Sequence, residues 1–459
     1  MEMLSTTERA VWDAYAQGEI LDLAAVADRV VRASVLRRLV LDEGANPATA
    51  RLRLRSADID GALDLTDVGV DRVLRFDGCR FAETPRINDS RFRHVSFSRS
   101  RLPGLEAYNT VIDIDLRLHG THIDGCVGVD DARIGGTLAL DGARIEGWDG
   151  VAIAGTRLTV GRDILGREGF TATGAVLLND ADVGGSIRFA GARIAHPGGR
   201  ALSAPDLSVG AICDLCDGFT AVGTVTLAHA RVHSKLCFDG ARIDDLDLRH
   251  VRTRELVLRG PSAVDLRHAE VESLRDDPAT WPERISLDGF RYRTLSGGAD
   301  RLPWLRRDPQ GHRPQAYAQL AGVLRENGQE PAARTVLLAG ERHRRDSAGR
   351  LARWWGYVQD VAVGYGYRPG RAAAWFAVLA AIGTAAFTRW PPVAVQPGQP
   401  VALHPPVYAL DVLLPIVDFG QERSFAAVGW TVWLAYALSA AGWVLATTIA
   451  AGATRTLRK

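Results

Sequence analysis

Lysine is almost absent from this sequence. The chain also lacks an excess of positive or negative charge. Lys235 and Lys459 are its lysines, and 55 basic residues are balanced by 54 acidic ones. Within residues 132–245, thirteen acidic residues stand against eleven basic ones. A chain this neutral has no general electrostatic attraction to nucleic acid, so we expect no nucleic-acid partner.

Cysteine is also scarce, and the N-terminus lacks a basic region followed by an apolar one. The five cysteines are an odd number scattered along the chain, unlike the even set of a disulfide-rich secreted domain. We therefore expect the repeat region to be intracellular, with its thiols reduced.

An internal repeat of 49 residues organises the central part of the sequence. Its marker is a triplet of a small, a polar and an aliphatic residue, found at Ala132–Ile134, Ala181–Val183 and Ala230–Val232. A companion triplet follows eleven residues later, at 143–145, 192–194 and 241–243. Residues two apart point to one side of an extended chain, so Ala143 and Ile145 face inward and Arg144 faces outward.

A single turn with this pattern cannot bury its apolar side, so successive turns must stack. The sequence therefore predicts a mainly β protein, a right-handed β-solenoid. We interpret the 49 residues as two coils of roughly 24 to 25 residues, although three coils of about 16 also fit. The apolar alternation runs from Leu52 to Leu295, enough for on the order of ten coils.

Helices are predicted on both sides of the solenoid. Ser5 and Glu8 have the spacing of a capping box, which indicates a short helix ending at Gly18, and a second helix is expected over 24–41. Both would cover the open end of the solenoid. The predicted segments are a helical cap (1–48), the solenoid (49–296), a linker (297–312), a helical hairpin (313–346), an interfacial helix (347–371), transmembrane helix 1 (372–390), an extracytoplasmic loop (391–424), transmembrane helix 2 (425–454) and a basic tail (455–459).

The two spans rest on the uncharged stretches 372–387 and 425–454, because about 20 residues cross a bilayer. More basic residues flank the outer ends of the pair than the loop between them, which places both termini and the solenoid in the cytoplasm. We thus expect a multi-pass protein of the cell membrane, with the lipid bilayer as a partner. The residues predicted at the membrane interface are Trp354, Trp355, Tyr365, Tyr367, Arg368 and Arg371.

The loop between the spans is apolar over 408–420 except for two carboxylates, Asp411 and Asp418. Such a segment is expected to lie against the outer leaflet or to dip between helices, where carboxylates attract cations or protons. The order of a span, a segment that dips into the membrane and a second span is also found in small ion-channel subunits.

The sequence offers little for catalysis. Cys213, Cys216 and Cys237 form only a weak metal site, because zinc usually needs a second cysteine pair. The Gly-rich turns lead into further strand pattern, which does not fit a dinucleotide fingerprint. We expect no cofactor, and no catalytic residue can be named.

Two resemblances accompany these patterns. The small and aliphatic residues at Ala143 and Ile145 resemble the inward pair of the pentapeptide-repeat proteins, which implies a solenoid. A cytosolic repeat region followed by two membrane spans is similar to a group of bacterial proteins often labelled membrane-associated oxidoreductases.

The main hypothesis is a membrane-anchored cytosolic solenoid that acts as a scaffold, binding a protein partner or further copies of itself. An ion channel that includes the 408–420 segment is the alternative, and a membrane-associated oxidoreductase is the second alternative.

Overall fold

The computed structural model describes residues 4–42, 50–296, 301–346, 369–396, 402–414 and 417–457. The chain divides into two compact units, Met1–Gln319 and Leu320–Lys459.

Unit 1 is a β-solenoid whose coils contribute strands to two parallel sheets. Sheet A consists of Leu21–Asp22, Leu52–Arg55, Val73–Asp77, Arg91–Phe92, His94–Ser96, Val111–Ile112, Leu116–Arg117, Arg133–Ile134, Leu138–Ala139, Thr159–Val160, Ile164–Leu165, Asp182–Val183, Ile187–Arg188, Ser208–Val209, Ile212–Asp214, Arg231–Cys237, Arg252–Leu258, Glu270–Asp276 and Arg291–Ser296. Sheet B consists of Val30–Arg32, Asp58–Asp60, Arg80–Phe81, Arg101–Leu102, Leu105–Glu106, His122–Ile123, Val127–Gly128, Arg144–Ala154, Thr171–Leu177, Arg193–Ser203, Thr220–Thr226, Arg242–Ile243, Asp245–Asp247, Ala263–Asp265 and Arg284–Ser286. The predicted solenoid is confirmed.

The 49-residue repeat corresponds to two coils of unequal length. Arg133 pairs with Thr159, and Thr159 pairs with Asp182, steps of 26 and 23 residues. The next two steps, through Ser208 to Arg231, are again 26 and 23 residues. Two coils per repeat are thus confirmed, and three coils of about 16 residues are wrong.

The repeating triplet has a simple structural cause. Gly142 adopts a left-handed backbone with φ of 65°, which turns the chain at the corner. Ala143 and Ile145 then point into the core and are fully buried, while Arg144 between them is exposed.

Ile114 departs from the predicted inward pattern, with an exposed fraction of 42%.

The N-terminal end combines helices with the first strands. Helix α1, Thr6–Gln17, begins with the predicted capping box of Ser5 and Glu8 and ends at Gly18. Helix α2, Ala33–Val40, is shorter than predicted. The residues before it instead form strands, and Val31 pairs with Ile59. The solenoid therefore starts earlier than its apolar pattern indicates.

The C-terminal end of the solenoid is covered by residues predicted as a linker. Helix α3, Leu302–Leu305, buries Trp304. The Asp308 carboxylate accepts a hydrogen bond of 3.2 Å from the Leu287 N–H. Helix α4, Pro314–Glu326, begins in this unit, where the Gln319 amide donates to the Tyr292 carbonyl at 2.6 Å. A short 3-10 helix, Pro278–Thr280, precedes this region.

Within the described ranges, the other helices belong to unit 2. They are α5 (Glu330–Asp346), α6 (Pro369–Arg389), α7 (Pro405–Leu413), α8 (Gln421–Ser424) and α9 (Thr431–Leu457), with paired strands Val393–Ala394 and Phe425–Ala426. Phe387, Tyr408 and Leu438 bring α6, α7 and α9 together in one apolar cluster. Gly442 permits this packing, because a Cβ there would overlap the Leu413 carbonyl oxygen. Within the described ranges, no helix has both the length and the apolar character needed to cross a bilayer.

Candidate functional site

One outward position on sheet B carries a series of basic or neutral side chains on eight successive rungs. We call this series the basic column. Its members, each paired with the next, are Arg80, Arg101, His122, Arg144, Thr171, Arg193, Thr220 and Arg242. Because neighbouring strands lie about 4.8 Å apart, the column extends about 34 Å along the solenoid.

The local sequence fixes the direction of these side chains. Left-handed Gly142, Gly191 and Gly240 precede the triplets that contain Arg144, Arg193 and Arg242. Each arginine lies between two buried neighbours and is itself exposed. The repeat thus places three guanidinium groups in one line, two rungs or about 10 Å apart.

The charges of the column are only partly neutralised. Asp124 lies 2.9 Å from Arg101 and 2.8 Å from the His122 Nε2. Arg144, Arg193 and Arg242 make no ion pair with any residue that the structure describes. Three exposed cations are therefore available to an anionic partner.

The equivalent position on sheet A differs in its charge. This mixed column comprises Arg91, Val111, Arg133, Thr159, Asp182, Ser208, Arg231, Arg252, Glu270 and Arg291. Acidic residues interrupt it, and Arg252 forms an ion pair of 3.4 Å with Glu270. The basic column is the more uniform of the two surfaces.

The three cysteines considered for a metal site do not act together. The Cys213 side chain points into the core, where burial raises the pKa of its thiol to about 12. Cys216 and Cys237 are joined in a disulfide with a Cα–Cα distance of 5.9 Å, although reduced thiols are predicted from the sequence. Asp214, which sequence reasoning missed, lies beside this pair because it is opposite Cys237 on the neighbouring rung.

The two carboxylates predicted to contact ions have local partners. Asp411 is buried and accepts hydrogen bonds of 2.8 Å from the N–H groups of Phe419 and Glu422. Asp418 forms an ion pair of 2.6 Å with Arg423. Asp411 thus holds the chain after α7 in place, and the pore remains a prediction.

The predicted membrane-interface residues Trp354, Trp355, Tyr365, Tyr367 and Arg368 lie outside the described residues. Arg371 falls within α6. Their interfacial role remains a prediction.

No protein-family model, curated protein or solved structure matches this chain. The structure shows a β-solenoid, and the resemblance to the pentapeptide-repeat proteins remains a prediction.

Proposed function

We propose that this protein is an interaction scaffold whose basic column binds an acidic segment of a partner protein. The observation that carries the proposal is the line of Arg144, Arg193 and Arg242, exposed and without an ion-pair partner among the described residues. Arginine suits this role because its planar guanidinium group donates two parallel hydrogen bonds to a carboxylate.

The spacing of the basic column suits a partner segment in the polyproline II conformation. A polyproline II helix has three residues per turn and a rise of about 3.1 Å per residue, so every third side chain faces one way at about 9 Å. Two rungs of the solenoid span about 10 Å. The best partner is thus an extended segment with an acidic residue at every third position.

The rigid backbone favours such binding. Parallel strand pairing holds consecutive members of the column in register, and the residues beneath Arg144 and Arg193 are fully buried. A preorganised surface loses little conformational entropy on binding.

Membrane attachment through unit 2 is the second part of the proposal. Its support is the pair of uncharged stretches, 372–387 and 425–454, and the exposed apolar side chains on the two long helices. These side chains are Trp375, Val378 and Ile382 on α6, and Trp433, Tyr436 and Trp443 on α9. We propose two spans, with the solenoid and both termini on the cytoplasmic side.

A labelled peptide of repeated Glu-Pro-Pro tests the binding surface in detergent-purified full-length protein. We expect the triple variant Arg144→Ala, Arg193→Ala, Arg242→Ala to bind at least about tenfold more weakly, because three exposed ion pairs are lost. The matched control from the mixed column, Arg133→Ala, Arg231→Ala, Arg291→Ala, should bind like the wild type. Equal losses in both variants, or equal binding of a Gln-Pro-Pro peptide, would contradict the proposal.

Extraction of native membranes tests whether unit 2 spans the bilayer. A spanning protein stays in the pellet after treatment with alkaline carbonate and is released only by detergent. Release of the chain by carbonate alone would show that the two spans are wrong.

A further inference from the structure

Three potential metal ligands converge on the outer face of sheet A, in the C-terminal half of the solenoid. One carboxylate oxygen of Asp214 and the sulfur atoms of Cys216 and Cys237 all lie within 4.8 Å of one another. Both cysteines are buried beside Val257, and Asp214 is half-buried. The convergence follows from strand register, because Asp214 is opposite Cys237 and Cys216 follows two residues later.

The repeat itself does not require these residues. The equivalent positions 49 residues earlier hold Leu165, Arg167 and Arg188. The coils therefore form equally well with apolar or basic side chains there. Asp214, Cys216 and Cys237 occur together at this one place in the repeat, and the packing of the fold does not explain why.

We propose that the reduced protein binds one zinc ion through the carboxylate of Asp214 and the thiolates of Cys216 and Cys237. Thiolate, carboxylate and water are all ordinary zinc ligands, and three protein ligands leave a fourth tetrahedral position for water. The chain contributes further negative charge through Asp217, which acts on Asp214 electrostatically. The main-chain N–H of Asp239 lies 3.3 Å from the Cys216 sulfur, where it supports a thiolate.

The disulfide makes this site dependent on redox state. Two molecules of a low-molecular-weight thiol supply two electrons and two protons to the Cys216–Cys237 bond, giving two cysteine thiols and one external disulfide. Zinc then displaces both thiol protons to the solvent as it binds. The oxidised form offers no thiolate and therefore cannot bind zinc in this way.

Zinc titration of the full-length protein against a chromogenic chelator tests the proposal. After reduction with a phosphine and its removal, we expect one zinc ion per chain to withstand the chelator, whereas the oxidised protein gives up all zinc. Cobalt(II) in place of zinc should produce a thiolate-to-metal charge-transfer absorption in the reduced protein only. Failure of the reduced protein to retain any zinc would overturn the site.

Variants assign the ligands. Cys216→Ser and Cys237→Ser should each lose zinc and the cobalt absorption, and Asp214→Asn should weaken zinc binding at least about tenfold while retaining the cobalt absorption. Cys126→Ser is the matched control, because Cys126 is a free cysteine outside the site. Comparison of the oxidised and reduced wild type needs no substitution and guards against misfolding of a variant. Loss of zinc from the control, or retention by both serine variants, would contradict the assignment.

Discussion

Arg301 and Asp276 form an ion pair at the C-terminal end of the solenoid in which both side chains are only 2% exposed. Their closest nitrogen and oxygen atoms are 2.6 Å apart. The indole N–H of Trp281 donates a further hydrogen bond of 2.9 Å to Asp276. Asp276 and Arg301 are 25 residues apart in the chain, and their ion pair holds α3 against the last coils.

Asp276→Ala should destabilise unit 1 by about 3–5 kcal/mol, because it leaves the Arg301 charge buried without a carboxylate to neutralise it. Chemical denaturation followed by circular dichroism measures this change. The control is Glu255→Ala, which removes an exposed ion pair with Arg275 and should cost less than about 1 kcal/mol. A similar loss of unfolding free energy in the two variants would contradict the proposal that the buried ion pair holds α3 on the last coils.

Gly184→Ala should destabilise the solenoid by about 1–3 kcal/mol, through overpacking between two rungs. A Cβ on Gly184 would lie 2.5 Å from the Gly161 carbonyl oxygen, so the rungs would have to separate. Gly69 is the matched control, because a Cβ there meets no atom within 4 Å. Gly69→Ala should leave the thermal midpoint nearly unchanged, and an equal fall in both variants would argue against close rung contact.

Acid should weaken the N-terminal cap through Glu8. The hydrogen bond from Arg32 lowers the pKa of Glu8 from 4.5 to about 2. Since the folded pKa is the lower one, this stabilisation is complete above pH 4.5 and disappears as the pH falls towards 2. The contribution at neutral pH is up to about 3 kcal/mol.

Denaturation of the wild type and of Glu8→Gln over this pH range measures the effect of Glu8. The two proteins should differ most above pH 4.5 and converge near pH 2. A difference that is independent of pH would contradict the predicted titration.

Much of the solenoid can be predicted because each coil repeats the same local chemistry. The Ala-Arg-Ile triplets identify inward and outward positions without knowledge of distant residues. Five of the eight members of the basic column, the three arginines from Arg144 onward and the two threonines, follow the 49-residue spacing. Its earlier members, Arg80, Arg101 and His122, do not share that spacing. They join the column only through strand pairing, which the structure supplies.

Other parts of the fold and of the candidate sites depend on contacts between distant residues, which no local sequence pattern predicts. The longer coils contain extra residues at 147–150 and 196–199, and the first of these places Trp148 in solvent with 81% of it exposed. The stretch around Arg301 has the composition of a linker, and only its distant partner Asp276 shows that it is part of the fold. Asp214 could not be predicted as a metal ligand for the same reason, because the pairing of neighbouring strands brings it next to Cys237.

Deletion of residues 181–229 tests most directly whether 49 residues form two stacked coils. The deletion joins Asp180 to Ala230, which replaces Ala181 at an equivalent corner. We expect a folded protein with unchanged strand content per residue and a solenoid about 10 Å shorter by small-angle X-ray scattering. The control deletion of 181–218 removes one and a half coils and should abolish cooperative unfolding. If the 49-residue deletion also fails to fold, or folds without shortening, the two-coil repeat is wrong.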